Sequence, residues 1–186
     1  MDSPLLNELI YGCQKNDRSA QEQLYKLFYT DMFSTCLRYT SDHHAALTIL
    51  NDAFLKVFLH VDQFNDRVGG FRPWLKTVVI HTAIDYTRKL KKQTHIIHID
   101  HVPEEGADDF DLRHNWKQEE IGEHLKMLPP VTRMVINLFA FDGYTHKDIA
   151  EQLNITESTS RWHVGEARKR LRNSMDLKQA KLVHHE

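Results

Sequence analysis

YTHKDIAEQLNITESTSRWHVGEARKRL, residues Tyr144 to Leu171, carries two helical signals separated by a turn. Thr145 is placed to cap the first helix, with Asp148 three residues on completing a capping-box pair. Ile149, Ala150 and Leu153 line one apolar stripe at helical spacing. Asn154-Ile155 turns the chain, and Thr156 is a second N-cap with the acidic Glu157 in the first turn. The second helix offers Ser158, Thr159, Ser160, Arg161 and His163 near its start, and Arg168, Lys169, Arg170 and Arg172 near its end. A helix-turn-helix sets its second helix into the DNA major groove by the N-terminal end, while basic residues hold phosphates. The expected base and phosphate contacts here are Thr156, Ser158, Thr159, Ser160, Arg161, His163, Arg168 and Lys169.

A formal net charge of −2 speaks against DNA binding only as an average. From Phe71 to Lys92 there are six Lys/Arg against the single acid Asp85. From Thr156 to Asn173 five basic residues face Glu157 and Glu166. Between these blocks, Pro103 to Glu123 holds eight acids against Arg113 and Lys117. Two basic modules and an acidic connector that avoids DNA follow from this pattern.

Helical periodicity dominates the rest of the chain. Leu5, Leu6, Leu9, Ile10 and Cys13 predict a short first helix. Ser19 with Glu22 is a capping-box signal for the second, with Leu24, Leu27, Phe28 and Cys36 facing inward. Leu47, Leu50, Phe54, Val57, Phe58 and Val61 form the stripe of a third. After a turn at Asn65 to Gly70, Pro73 opens a fourth helix carrying Trp74, Leu75, Val78 and Val79 towards Lys92. Periodicity fades between Gln93 and Asn115. A helix around Trp116 to Met127, a break at Pro129-Pro130 and a helix with Val131, Val135 and Leu138 then lead into the helix-turn-helix. The fold class is therefore all-α: a four-helix domain at 1–94, an acidic linker at 95–114 and a smaller helix-turn-helix domain at 115–186.

Composition agrees. Hydrophobic residues make up 41% of the 186 residues, enough for two compact cores, and 7 Gly with 5 Pro argue against a turn-rich all-β fold. Cys13 and Cys36 form no CxxC pair and read as reduced core thiols, which suits the cytoplasm. Neither a signal peptide nor an apolar run of membrane-spanning length is expected. Thirteen histidines include His95, His98 and His101 at every third residue, yet no HExxH or mixed Cys/His spacing accompanies them, so no metal and no cofactor is expected. No nucleophile elbow, phosphate-cradling glycine loop or paired carboxylates point to catalysis.

Taken together, FRPWLKTVVIHTAIDYTRKLKK (Phe71 to Lys92) and LKMLPPVTRMVINLFAFDGYTHKDIAEQLNITESTSRWHVGEARKRLR (Leu125 to Arg172) resemble the two DNA-recognising segments of the extracytoplasmic-function sigma factors. The leading Leu-Pro pair, Arg133, Asp148-Ile149-Ala150 and the basic ending fall where that family puts them. The resemblance implies a sigma factor that binds the clamp of the β′ subunit of core RNA polymerase and directs promoter-specific initiation. It implies minus-thirty-five recognition by the helix-turn-helix. It also implies minus-ten recognition and melting by Asn65, Asp66, Arg67, Gly69, His81, Arg88, Lys89 and Lys92, with the Asn65 to Gly70 loop closing around an extruded base. Polymerase docking is expected at Leu50, Asn51, Asp52 and Phe54, and an anti-sigma factor is the implied regulator.

Two departures bear on function. The family usually has Asn where His81 stands. The acidic cluster that usually opens the third helix is replaced by His43-His44-Ala45-Ala46-Leu47-Thr48. These departures leave room for a sigma-like decoy that binds polymerase or an anti-sigma factor without starting transcription; the other rival reading is a stand-alone helix-turn-helix regulator, against which the first basic block speaks.

Overall fold

The structure, a computed structural model, describes residues 3–94 and 118–183, with side chains over 3–89 and 122–174. The described residues form eight α-helices and no strand. They divide into two compact units, Met1–Tyr86 and Thr87–Glu186, the division falling inside one long helix. The linker expected at 95–114 lies outside the described residues.

In the first unit, α1 (Pro4–Gln14) is capped by Ser3, whose hydroxyl accepts from the Leu6 amide at 3.3 Å. Asn16, at φ 58°, turns the chain in the left-handed region that Asn tolerates. Asp17, not Ser19, caps α2 (Arg18–Tyr39): its carboxylate accepts from the Ser19 amide at 2.8 Å. Glu22, expected to close a box with Ser19, instead pairs with Lys26 one turn on. Asp42 caps α3 (His43–His60) in the same way through the His44 amide at 2.8 Å. A short 3-10 turn and the Asn65 to Gly70 loop lead to α4 (Phe71–Thr94), which begins two residues before Pro73.

These helices bury one core. Leu24, Met32 and Cys36 of α2, Ile49, Leu50 and Phe54 of α3, and Phe71, Leu75 and Ile84 of α4 are all nearly inaccessible. Each large side chain among them contributes about 1.5–3 kcal/mol by leaving water. Burial raises the Cys13 thiol to about 11 and the Cys36 thiol to about 12, so both stay protonated and unreactive. Leu5, Leu27 and Leu47, expected inside, are exposed, because each sits at the edge of its stripe where no neighbouring helix covers it.

The second unit contains α5 (Gln118–Lys126), α6 (Pro130–Ile136), a single π turn at Asn137–Phe141, α7 (His146–Leu153) and α8 (Glu157–Val183). Arg133 lies in its core. Its guanidinium donates to the Lys126 carbonyl at 2.5 Å and the Leu128 carbonyl at 3.0 Å, closing the turn between α5 and α6. Burial lowers its pKa from the usual guanidinium value. Three histidine–hydroxyl bonds tie the other helices to α8: His124 to Ser174 at 2.7 Å, His163 to Thr132 at 3.0 Å and His146 to Ser160 at 2.9 Å. No helix among the described residues is long and apolar enough to cross a membrane.

Candidate nucleic-acid interface

The helix-turn-helix is built by local rules. Thr145 accepts from the Asp148 amide at 3.1 Å, and Asp148 accepts in return from the Thr145 amide at 2.9 Å, a complete capping box. The Thr145 hydroxyl also donates to the Asp148 carboxylate at 2.6 Å, and that bond, with the one from the Thr145 amide, holds the carboxylate below its ordinary pKa. Asn154 ends α7 at φ 52°, and Thr156 caps α8 by accepting from the Thr159 amide at 3.0 Å. Val164, Ala167 and Leu171 are the buried seam of α8, set against Ile149 and Leu153 of α7 and the residues of α6.

This seam fixes which side of α8 faces solvent. Thr156, Ser158, Arg161 and Lys169 are exposed, and Thr159, Trp162, Gly165 and Arg168 are partly so. Arg161 pairs with Glu157 at 2.7 Å one turn earlier. Two of the expected contacts lie on the other side. Ser160 is fully buried against His146, and His163 is 7% exposed against Thr132. Both are polar residues in a core, tolerated because each has a hydrogen-bonding partner on another helix. They hold α8 in place and are not part of its solvent-facing surface. His146 also stacks on Phe139 at 4.4 Å, and burial, reinforced by Arg161 and Arg168, lowers its pKa from 6.5.

In the first unit, the Asn65 to Gly70 loop is pinched at its base. Phe64 and Phe71, the residues on either side of it, meet edge to face at 5.2 Å, and Trp74 packs on both at 5.6 and 5.5 Å. Trp74 is thus half-buried in an aromatic cluster. The loop itself projects: Asn65, Asp66, Arg67, Val68 and Gly69 are exposed, with Val68 at 86%. Asn65 shapes it by accepting from the Arg67 amide at 3.0 Å. His81, Arg88 and Lys89 are exposed on α4, whereas the Lys92 side chain lies outside the described residues. Asp85 pairs with Lys56 of α3 at 3.1 Å on the half-exposed edge of the bundle.

On α3 the expected docking residues separate. Asn51 and Asp52 are exposed, Asn51 accepting from the Tyr25 hydroxyl at 3.0 Å. Leu50 and Phe54 are core residues, fully and almost fully buried. The exposed apolar residues of this helix are Leu47, Leu55 and Leu59, and Leu55 and Leu59 are 57% and 65% accessible. A helical wheel drawn from the buried Ala46, Ile49, Ala53 and Val57 brings Leu55 and Leu59 outward; the sequence reading had not singled them out. Among the described residues no group of three His, Cys, Asp or Glu side chains is placed to hold a metal. His95, His98 and His101 lie outside them.

The sigma-70 region 2 profile matches residues 24–93, and the sigma-70 region 4 profile matches residues 115–171. The chain belongs to the sigma-70 family. Its relatives place it in the extracytoplasmic-function branch. It is 23% identical over 157 residues to the ECF RNA polymerase sigma factor SigM of Bacillus subtilis, covering 81% of this chain and 92% of that one. It is likewise 23% identical over 187 residues to the ECF sigma factor SigW of the same organism, covering 92% and 97%. A solved structure of the sigma factor RpoE in complex with the anti-sigma factor NepR from Bartonella quintana aligns with a TM-score of 0.49 at 21% identity, covering 83% of this chain and 96% of that one. This sigma factor binds core RNA polymerase and promoter DNA and directs transcription initiation.

Proposed function

We propose that three solvent-facing surfaces divide the work of this sigma factor. The outward stripe of α3, with Asn51 and Asp52 beside Leu55 and Leu59, docks on the clamp of the polymerase β′ subunit. The apolar part of that stripe replaces much of the attraction that an acidic cluster supplies elsewhere in the family. The loop from Asn65 to Gly69, with His81, Arg88 and Lys89 along α4, opens the minus-ten element. Arg and Lys hold the backbone, and the loop accepts an extruded base. The N-terminal half of α8, through Thr156, Ser158, Thr159 and Arg161, reads the minus-thirty-five element, with Arg168 and Lys169 on phosphates.

The observation that carries this division is the outward projection of the 65–69 loop from its clasped aromatic base. Phe64, Phe71 and Trp74 close the base of the loop and leave Asn65 to Gly69 in solvent, where a base can reach them. A protein working through RNA polymerase works in the cytoplasm and lends specificity to that enzyme without chemistry of its own. An anti-sigma factor that covers these surfaces is the regulator this reading expects.

The test is transcription from fragmented host DNA by core polymerase with and without the purified chain. New starts sharing two spaced upstream elements support the reading. Polymerase binding without new starts would make the chain a decoy, and duplex binding without polymerase would make it a stand-alone regulator.

A further inference from the structure

Tyr25 of α2 reaches across to α3. Its hydroxyl donates to the side-chain oxygen of Asn51 at 3.0 Å, a bond between residues 26 apart in the chain. The ring behind that hydroxyl is held. It tilts against the buried Phe54 at 4.7 Å and 58° and against Tyr29 at 5.6 Å, and Tyr29 stacks on Phe33 at 5.5 Å and 14°. A phenylalanine would make every one of those ring contacts. What the tyrosine adds is the hydroxyl, and the hydroxyl goes to Asn51. Burial raises the Tyr25 pKa above the ordinary phenol value, with Tyr29 and Cys36 adding to it, so the group keeps the proton it donates.

Asn51 is exposed, one turn from Leu47 and one turn from Leu55. Residues at these spacings share one helix face. A bond between a solvated amide and a half-exposed phenol does little for folding, because water serves either group nearly as well. What it does is orient. An amide that turns its oxygen to Tyr25 turns its nitrogen the other way, so Asn51 offers two N–H donors. Among the described residues those donors have no acceptor. A carboxylate in the same place would offer acceptors only.

We propose that Tyr25 is a positioning residue for polymerase docking: its hydroxyl sets the Asn51 amide with the N–H donors towards the clamp, which meets them with a carboxylate or carbonyl oxygen. The inference rests on the reading of α3 as the docking helix. Setting the amide in advance removes an ordering cost that a freely rotating side chain incurs on binding.

Binding of the full chain to core polymerase is measured by fluorescence anisotropy for the parent, Tyr25→Phe, Asn51→Ala, Asn51→Asp and the double variant Tyr25→Phe, Asn51→Ala, with a thermal melt of each. Tyr25→Phe should melt as the parent does and bind about fivefold more weakly, the size of one ordinary hydrogen bond. Asn51→Asp keeps the bond from Tyr25 but replaces the donors with a carboxylate, and should weaken binding about tenfold. With Asn51→Ala in place, Tyr25→Phe should change affinity no further, whereas a tyrosine acting apart from Asn51 would still matter. Tyr25→Phe at parental affinity, or Asn51→Asp binding more tightly than the parent, would overturn the inference. Asn51→Ala at parental affinity would also overturn it. If Leu55→Ser with Leu59→Ser then binds as the parent does, the docking reading itself falls.

Discussion

Thr132 on α6 and His163 on α8 share a 3.0 Å hydrogen bond between Oγ1 and Nδ1, with both side chains buried. The bond adds to the apolar seam of Val164, Ala167 and Leu171 in setting the rotation of α8 about its own axis. Thr132→Val removes the hydroxyl partner at nearly constant volume and should cost about 1–3 kcal/mol, the range for a buried polar group that loses its bond. Denaturant unfolding of the full chain reads this directly. A variant as stable as the parent would show that the bond does not hold the helix.

A second close relationship lies between α1 and α2. A Cβ added to Gly12 would stand 2.5 Å from the Cβ of Ala20, nearer than two carbons approach. Gly12→Ala should therefore force the two helices apart and destabilise the first unit by about 1–3 kcal/mol, the usual cost of overpacking. The opposite sign is expected at Gly122 of α5, where an added Cβ meets no described atom within 4 Å. The pair measured together thus separates steric cost from helix propensity.

Acidification should loosen the second unit. Burial lowers the His146 pKa from 6.5, with Arg161 and Arg168 pushing the same way against the smaller opposing effect of Glu157. The unfolded chain then binds a proton more readily than the folded one, so stability falls as pH drops through 6.5 and levels off below the folded pKa. Circular dichroism melts at pH 7.5 and 5.5 should show this loss, reduced in His146→Gln. If the variant's melting temperature falls as steeply as the parent's, His146 is not the group responsible.

Polymerase docking distinguishes surface from core on α3. Leu55→Ser with Leu59→Ser changes exposed residues and should leave stability within about 0.5 kcal/mol while weakening core polymerase binding severalfold. Leu50→Ala removes a fully buried side chain and should cost about 2–5 kcal/mol of stability. Calorimetric titration against core polymerase, with both variants checked by thermal melts, assigns each residue. Full affinity in the double serine variant would move the docking surface elsewhere.

Much of this was legible in one dimension. The helices, the capping box of Thr145 and Asp148, the turn at Asn154 and the cap at Thr156 are local features, governed by bonds within four residues. The apolar stripes of α3 and α4 and the two basic blocks are equally local. From these the sequence by itself determined an all-α chain, a helix-turn-helix and a DNA-directed character, and its resemblance to the extracytoplasmic-function sigma factors supplied the family.

Tertiary structure decided which polar residues turn inward and which apolar ones turn outward. Ser160 and His163 read as groove residues because serine and histidine are usually solvated, but His146 and Thr132 arrive from other helices to satisfy them. Leu50 and Phe54, on the stripe the sequence already showed, are wholly in the core and so off the docking surface, and Leu55 and Leu59 are on that surface, because α3 is covered by neighbours on one side only. The projecting 65–69 loop depends on Phe64 and Phe71 closing across it, a contact between residues seven apart. A hydrophobic stripe gives the direction of burial to within a residue or so. The partner groups that tip its edge positions in or out come from distant parts of the chain, and only the folded packing brings them together.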